Sequence, residues 1–270
     1  MGCRQYPAIC RRKRLGAGMN GLSEFVEYFP RAAARRGLAV VPGYCDAHGS
    51  FEAIAPAGRR PVCPRCTEEK ERLQEVERRR ASMLRQAGVP GRFAVATFSQ
   101  LERVCDEQAA VIASFKRWVA GVGRGEVCSN AVLLGKTGTG KTHMSCAAVL
   151  ALIRGCGIRA RYVTSEQVKR EVCESWGGGG ESESRVLERY GAYPVLVLDE
   201  VDILDERGPG LRVLNSVIDK RSGEQRPTVF ISNQDQASLQ ELLGRRAVSR
   251  MFENALIMHC PWDDYRARKA

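Results

Sequence analysis

One eight-residue segment carries the strongest chemical signal in the sequence. It reads Gly135-Lys136-Thr137-Gly138-Thr139-Gly140-Lys141-Thr142 and matches the pattern G-x-x-x-x-G-K-[ST] in full. In such a loop the glycines let backbone N–H groups surround a phosphate, the lysine reaches the β- and γ-phosphates, and the threonine hydroxyl ligates Mg²⁺. An apolar run precedes the segment and a helix-like run of small and apolar residues follows it. We therefore predict a site for ATP and Mg²⁺.

Two carboxylates follow a second apolar run, Val195-Leu-Val-Leu198. This run is typical of a central strand, and it would place the carboxylates beside the phosphate loop. Asp199 is predicted to position Mg²⁺ and its water. Glu200 is predicted to act as the general base of hydrolysis. A further apolar strand ends at Asn233, whose amide is predicted to orient the attacking water.

Four metal-binding residue types form a separate pattern near the N-terminus. Cys45 and His48 are separated by two residues, as are Cys63 and Cys66, and 14 residues lie between the pairs. Soft thiolates with an imidazole suit tetrahedral Zn²⁺, and no open ligand position is evident, so we predict a structural zinc site. A metal would also supply folding energy that so short a segment cannot obtain from an apolar core.

Short apolar runs alternate with amphipathic stretches beyond residue 92, which predicts an α/β domain with a mostly parallel sheet. The predicted strands cover residues 131–134, 159–163, 195–198, 228–232 and 255–259. The predicted helices cover 107–121, 141–154, 165–175, 183–190, 210–221 and 238–243. Ser238 is predicted to cap the last of these. A charged helix over 67–87, capped by Thr67, precedes this domain.

The chain divides into three predicted segments. Residues 1–20 form a basic flexible arm, residues 21–90 a small zinc-binding and helical domain, and residues 91–270 the ATPase domain. A short helix is predicted within 22–36 and a flexible loop at the glycine tract 177–180. The boundary is placed at Gly88-Val-Pro-Gly91, which stops the charged helix.

Composition limits the function classes. The 270 residues are 44% hydrophobic, enough for a sizeable core, and no apolar run approaches the ~18 residues of a membrane span. There are 11 cysteines and no secretory signal is evident, which favours the cytoplasm. The net charge is +11, and 17 basic against 9 acidic residues lie in the first 90. This excess favours nucleic acid or another acidic partner, although solubility alone would also explain it.

The order of phosphate loop, acidic strand end and asparagine strand end resembles the AAA+ ATPases. Further segments narrow the resemblance to DnaC-type replicative helicase loaders and their IstB-like relatives, over about residues 84–268. They are Ala87-Gly-Val-Pro-Gly-Arg92, Ala96-Thr-Phe98, Gly140-Lys-Thr-His143, Ile218-Asp-Lys-Arg221, Leu243-Gly-Arg-Arg-Ala-Val-Ser-Arg-Met251 and Asp264-Tyr-Arg266. The resemblance implies an AAA+ P-loop domain with a five-stranded sheet.

The resemblance also implies roles for several arginines and for one insertion. Arg250, with Arg246 as the fallback, matches the arginine that reaches the nucleotide of a neighbouring subunit, and Arg266 matches the arginine that contacts nucleotide in its own subunit. Loaders of this type hold single-stranded DNA through helices between the second strand and the acidic strand. The matching residues here are Lys169, Arg170 and Trp176, with Arg207 facing a pore.

The function implied is ATP-dependent loading of a hexameric replicative helicase onto single-stranded DNA, with hydrolysis controlling release. The protein would self-associate in a spiral or ring, and its zinc module, which resembles those of phage and prophage loader-like ATPases, would hold the helicase or bind DNA. One alternative is an IstB-like transposition helper ATPase that binds duplex DNA. Another is a zinc adaptor that does not hydrolyse ATP, against which the intact Lys141, Thr142, Asp199 and Glu200 argue.

Overall fold

A computed structural model describes residues 37–56, 58–176, 181–203 and 209–265. The predicted arm 1–20, the helix within 22–36 and the glycine tract 177–180 lie outside these ranges, as do the predicted site residues Arg207 and Arg266. The chain forms two compact units, which divide between Val76 and Glu77. Within the described residues, no helix combines the length and the apolar character needed to cross a bilayer.

The first unit is built on a β-hairpin. Strand β1 (Leu38–Cys45) pairs antiparallel with β2 (Gly49–Pro56), and the register places Cys45 opposite Gly49. Helix α1 (Pro64–Arg85) begins in this unit and contains the division point. Gly43 is required in the hairpin, because a Cβ there would come within 2.5 Å of the Phe51 ring and 2.8 Å of Pro61. The sequence analysis did not predict these two strands.

The second unit is an α/β layer structure. Its sheet has the order β4-β5-β6-β3-β7, and every neighbouring pair is parallel. The α/β class with a mostly parallel five-stranded sheet is thus confirmed, and each predicted strand lies within one residue of the observed bounds. The elements are α2 (Asp106–Gly123), β3 (Ala131–Leu134), α3 (Lys141–Ala151), β4 (Ala160–Thr164), α4 (Ser165–Ser175), α5 (Glu183–Gly191), β5 (Val195–Asp199), α6 (Pro209–Gly223), β6 (Thr228–Ser232), α7 (Gln236–Leu243), α8 (Arg245–Phe252) and β7 (Leu256–His259).

Helices cover both faces of this sheet, so every residue of its central strands is buried and most of these residues are apolar. Successive strand residues enter two separate apolar clusters. Leu133, Val197 and Ile231 pack with α2 and α3, whereas their chain neighbours Val132, Leu196 and Phe230 pack with α4 to α8. The sheet is therefore held rigidly, and its carboxyl edge is a stable base for a site.

Two predicted helix caps are wrong. Helix α7 begins two residues earlier than predicted, because the carboxylate of Asp235 accepts a hydrogen bond from the backbone N–H of Ser238 at 2.8 Å and is itself the N-cap. Helix α1 begins at Pro64, where a proline fits the first turn without needing its N–H. Thr67 is already inside that helix, and its hydroxyl donates to the carbonyl of Cys63 at 3.1 Å.

An arginine ties together three chain segments at the amino edge of the sheet. Arg221, at the end of α6, is 1% exposed. Its guanidinium donates to Thr228 Oγ1 at 2.8 Å and to the carbonyl oxygens of Tyr193 and Pro227, both at 2.8 Å. Burial, together with the nearby charge of Arg226, lowers the pKa of Arg221 to about 9.

Candidate functional site

The phosphate loop joins the carboxyl end of β3 to the first turn of α3. Gly138 and Gly140 have φ angles of 81° and 88°, in the left-handed region that glycine adopts without strain. Gly140 is the N-cap of α3, so the positive end of the helix dipole faces the loop. This geometry is the one that backbone N–H groups need to surround a phosphate.

Lys141 lies inside this loop and is 5% exposed. Its ammonium donates to the carbonyl oxygens of Gly135 and Lys136, the latter at 2.7 Å, and to Asn233 Oδ1 at 3.1 Å. The ammonium is therefore held between the phosphate loop and the end of β6. There, a bound phosphate could replace the two carbonyl oxygens as the partner of the ammonium.

Asp199, at the end of β5, is fixed by three donors and is 4% exposed. The hydroxyls of Thr142 and Tyr162 both donate to its Oδ2, at 2.8 and 2.7 Å. The backbone N–H of Glu200 donates to its Oδ1 at 2.8 Å. Burial and the charge of Asp199 raise the pKa of Tyr162, so this phenol keeps its proton.

Mg²⁺ suits this donor set. The Thr142 hydroxyl and the Asp199 carboxylate are hard oxygen donors held side by side, and they come from the two motifs that P-loop ATPases use for this ion. When bound, the ion would neutralise charge on the nucleotide phosphates.

Glu200 follows Asp199 and is exposed at the rim of the site. Its φ of 57° is unusual for a residue with a side chain and redirects the chain directly after the strand. Partial burial and the charges of Asp199 and Asp202 raise the pKa of Glu200, and Arg92 opposes them. A carboxylate with a raised pKa is a stronger base, as general-base chemistry requires.

Asn233 follows β6 and connects two charged groups. Besides accepting from Lys141, it donates from its backbone N–H to Asp202 Oδ1 at 3.3 Å and from its amide to Asp202 Oδ2 at 3.5 Å. The amide is thus oriented by Lys141 on one side and by the Asp202 carboxylate on the other. Sequence reasoning missed Asp202, which carries no motif of its own.

A segment after β7 lies directly on the phosphate loop. The Trp262 indole donates to the carbonyl of Thr139 at 2.9 Å, and the backbone N–H of Tyr265 donates to the carbonyl of Gly138 at 3.1 Å. The Asp264 carboxylate occupies the space that a side chain at Gly138 would need. The chain therefore reaches the loop immediately before the position of Arg266.

Arg250 lies at the opposite edge of the sheet from its own phosphate loop. Its carbonyl accepts a hydrogen bond from the amide of Asn130 at 3.0 Å, and Asn130 immediately precedes β3. The four residues of β3, about 13 Å of strand, separate that position from the loop. The Arg250 guanidinium pairs with Asp219, which Arg246 also contacts at 3.1 Å.

The four predicted zinc ligands converge in the first unit. Their ligand atoms all lie within 4.8 Å of one another. His48 Nδ1 is 3.3 Å from Cys66 Sγ and 3.7 Å from the sulfurs of Cys45 and Cys63. Ligands of a tetrahedral zinc with Zn–S bonds near 2.3 Å are roughly 3.5–3.8 Å apart, so the cluster fits Zn²⁺.

The hairpin turn and the start of α1 bring these ligands together. Cys45 is the last residue of β1, and His48 lies in the turn that follows. The backbone N–H of His48 donates to the Cys45 carbonyl at 3.2 Å. Cys63 precedes α1 and Cys66 lies in its first turn. Such a four-ligand cluster fills a tetrahedral shell and is typical of a structural site.

The predicted DNA-contact residues lie on α4 and its C-cap, in an acidic environment. Lys169 pairs with Glu166 at 3.3 Å. The Trp176 ring is 51% exposed, with its indole N–H on Glu183 at 2.8 Å and the Arg212 guanidinium 5.9 Å from its centroid. Residues 164–190 hold six acidic and four basic side chains, Arg170 among the latter. An exposed aromatic ring is thus available for base stacking, but the phosphate attraction is weak.

Comparisons with known proteins agree with this geometry. The family model described as IstB-like ATP binding protein matches residues 67–266. The replicative helicase loader DnaC of Escherichia coli K12 is 30% identical over 139 residues, which cover 51% of this chain and 56% of that protein. The DnaC of Buchnera aphidicola from Acyrthosiphon pisum is 27% identical over 186 residues, covering 68% and 74%. The matched region thus spans little more than half the length of the Escherichia coli DnaC.

Solved structures share the fold. A crystal structure of the DnaC helicase loader superposes with a TM-score of 0.57 at 19% identity, over 63% of this chain and 99% of that one. A crystal structure of DnaI gives 0.54 at 23% identity, over 63% and 93%. These likenesses confirm the AAA+ type of α/β fold for the second unit.

Proposed function

We propose that this chain, which belongs to the IstB-like ATP-binding protein family, is an ATPase that loads a hexameric replicative helicase onto single-stranded DNA. One observation carries the ATP chemistry: Lys141 and Thr142 of the phosphate loop contact Asn233 and Asp199, which lie 92 and 57 positions further along the chain, at the carboxyl edge of the sheet. The helicase is proposed because the curated relatives are replicative helicase loaders.

Hydrolysis would use residues around the same edge. The loop from Gly135 to Thr142 would bind the phosphates of ATP, with Thr142 and Asp199 holding Mg²⁺. Glu200 would accept a proton from the attacking water, which Asn233 would orient toward the γ-phosphorus. Arg266 would contact the nucleotide of its own chain, and the position of Tyr265 on the loop supports that role.

Arg250 would complete the site of a neighbouring copy. The separation of Arg250 from its own loop supports action in trans, because the two lie at opposite edges of one sheet. A guanidinium in a neighbour's site would neutralise charge developing on the γ-phosphoryl group. The pair with Asp219 would have to give way for this, so assembly in a spiral or ring would release Arg250.

The zinc module would hold the helicase. The described part of the first unit has five basic and six acidic side chains, so it carries no positive excess with which to attract DNA phosphates. The N-terminal positive charge noted above comes from other residues. We therefore assign the module to a protein partner. Single-stranded DNA would bind by base stacking on the exposed Trp176 ring, a contact that needs no positive excess, with Arg207 as a cationic contact. A replication role also places the protein in the cytoplasm.

Native mass spectrometry with the host's replicative helicase tests this function. With ATP, the wild type and the control Lys116→Ala should form a stable complex. Lys141→Ala should bind ATP about 10- to 100-fold more weakly, because a charge-assisted contact to phosphate is lost. It should also lose any ATP-dependent change in the complex.

A different result would redirect the assignment. Absence of a helicase complex, with tight ATP-dependent binding to duplex DNA instead, would replace the loader by the transposition helper. Turnover that is unaffected by Glu200→Gln would contradict the proposed general base.

A further inference from the structure

Tyr162, which belongs to no sequence motif, contacts the candidate metal site through its phenol hydroxyl. Tyr162 lies in β4, beside the strand that ends in Asp199, and is 5% exposed. Its hydroxyl donates to Asp199 Oδ2 at 2.7 Å, the same oxygen that accepts from Thr142 at 2.8 Å. The side chain thus reaches along the sheet into the cluster of residues assigned to Mg²⁺ and ATP.

The two hydroxyls that hold this oxygen are supported in different ways. Thr142 is itself assigned to Mg²⁺, so a bound ion would compete with Asp199 for its hydroxyl. Tyr162 lies within a buried strand, and its backbone N–H donates to the carbonyl of Ala87 at 2.7 Å. Its ring packs in the apolar cluster between the sheet and α3. The phenol is therefore an anchor for Asp199 that does not depend on the nucleotide.

We propose that Tyr162 is a positioning residue that holds the Asp199 carboxylate in the orientation needed for Mg²⁺. This proposal rests on the proposed ATP and Mg²⁺ site. Without the phenol, the carboxylate keeps the Glu200 N–H and the loop hydroxyl, but it loses the donor that comes from the rigid sheet. Partners of this kind typically contribute 10- to 100-fold in metal affinity, because they fix the ligand before the metal arrives.

The variant Tyr162→Phe removes one oxygen atom and keeps the ring in the core. The matched control is Tyr190→Phe. Tyr190 is also fully buried, and its hydroxyl donates to a carboxylate oxygen of Glu171 at 2.8 Å, away from the loop. Both variants remove a hydrogen bond from a buried phenol to a carboxylate, and the control measures the general cost of that loss to thermal stability.

Binding of a fluorescent ATP analogue, with Mg²⁺ and with EDTA, tests the proposal. In EDTA, the affinity of Tyr162→Phe should equal that of the wild type within a factor of about two, because Asp199 acts through the metal. In a Mg²⁺ titration, the midpoint should rise about 10- to 100-fold for Tyr162→Phe and stay unchanged for Tyr190→Phe.

Two outcomes would overturn the proposal: an unchanged Mg²⁺ midpoint in Tyr162→Phe, or an equal shift in Tyr190→Phe. Failure of the proposed function is a separate result, because in that case the wild type itself would not bind the analogue in a Mg²⁺-dependent manner.

Discussion

Arg221 is a charged side chain that is fully buried at the amino edge of the parallel sheet. Its donors satisfy buried carbonyl oxygens at the end of α5 and at the starts of β5 and β6, including Tyr190 O at 3.0 Å. Pro227 O also accepts the backbone N–H of Leu196, at 3.4 Å, whereas the oxygens of Tyr190 and Tyr193 lie outside the strand ladders and need a side-chain donor. The arginine therefore joins three chain segments by supplying donors to all of these oxygens from one residue.

Replacing Arg221 should destabilise the protein strongly. Arg221→Met should lower the free energy of unfolding by more than about 3 kcal/mol, because several buried acceptors lose their donor. Arg221→Lys should be intermediate, since an ammonium cannot reach all of these acceptors at once. The control Arg124→Met, which breaks an exposed pair with Glu126, should unfold close to the wild type. Denaturant unfolding measures all three, and equal losses in Arg221→Met and the control would contradict this role.

Among the residues of the candidate site, those that belong to a local sequence pattern could be predicted, whereas those that reach the site only through tertiary contacts could not. The phosphate loop and the Cys/His pairs have fixed spacings, so their convergence could be predicted. Tyr162, Asp202 and Trp262 reach the site from separate elements, and their residue numbers differ from those of their partners by 37, 31 and 123. No periodicity signals such contacts, because they arise only once the sheet has assembled.

At the scale of elements, the sheet was predictable and the hairpin was not. Strands covered on both faces are mostly apolar, so β3 and the central residues of β5 and β6 appear in the sequence as unbroken apolar runs. The hairpin contains Pro42 and Gly43 inside β1, and few of its residues are buried. These features favour a turn over a strand, so neither strand of the hairpin was predicted.

Because the hairpin has so small a core, its order should depend on the metal. The wild type and the control Cys128→Ser, an exposed cysteine outside the cluster, should each contain one zinc per chain. Cys63→Ser should contain little zinc, and its segment 37–76 should become sensitive to limited proteolysis. Elemental analysis and peptide mapping measure these effects. Zinc content equal to that of the control would contradict the assignment of Cys63 as a ligand.

The second unit should keep its own function in that experiment. Its two apolar clusters lie within residues 77–270 and include none of the four ligands. We therefore expect Cys63→Ser to bind the ATP analogue as the wild type does.

At the scale of the whole molecule, the proposed roles of Glu200 and Arg250 belong to different copies of the chain. Glu200→Gln alone and Arg250→Ala alone should each bind ATP and turn it over very slowly. An equal mixture of the two should regain activity, because an intact Arg250 from one variant can meet an intact Glu200 of the other. With random mixing, about a quarter of the interfaces are complete.

A phosphate-release assay over a range of mixing ratios measures this recovery, and the double variant Glu200→Gln with Arg250→Ala serves as the inactive partner. Activity that never exceeds that of the separate variants would contradict action in trans.

The parallel sheet also gives the protein a direction. Since the phosphate loop is at one edge and Arg250 at the other, each copy offers an arginine on one side and a nucleotide on the opposite side. An open chain of n copies then contains n − 1 complete sites, and the copy at one end holds ATP that it cannot turn over. In the proposed assembly the terminal nucleotide would therefore outlast all the others, so the two ends of the assembly would hold different nucleotides.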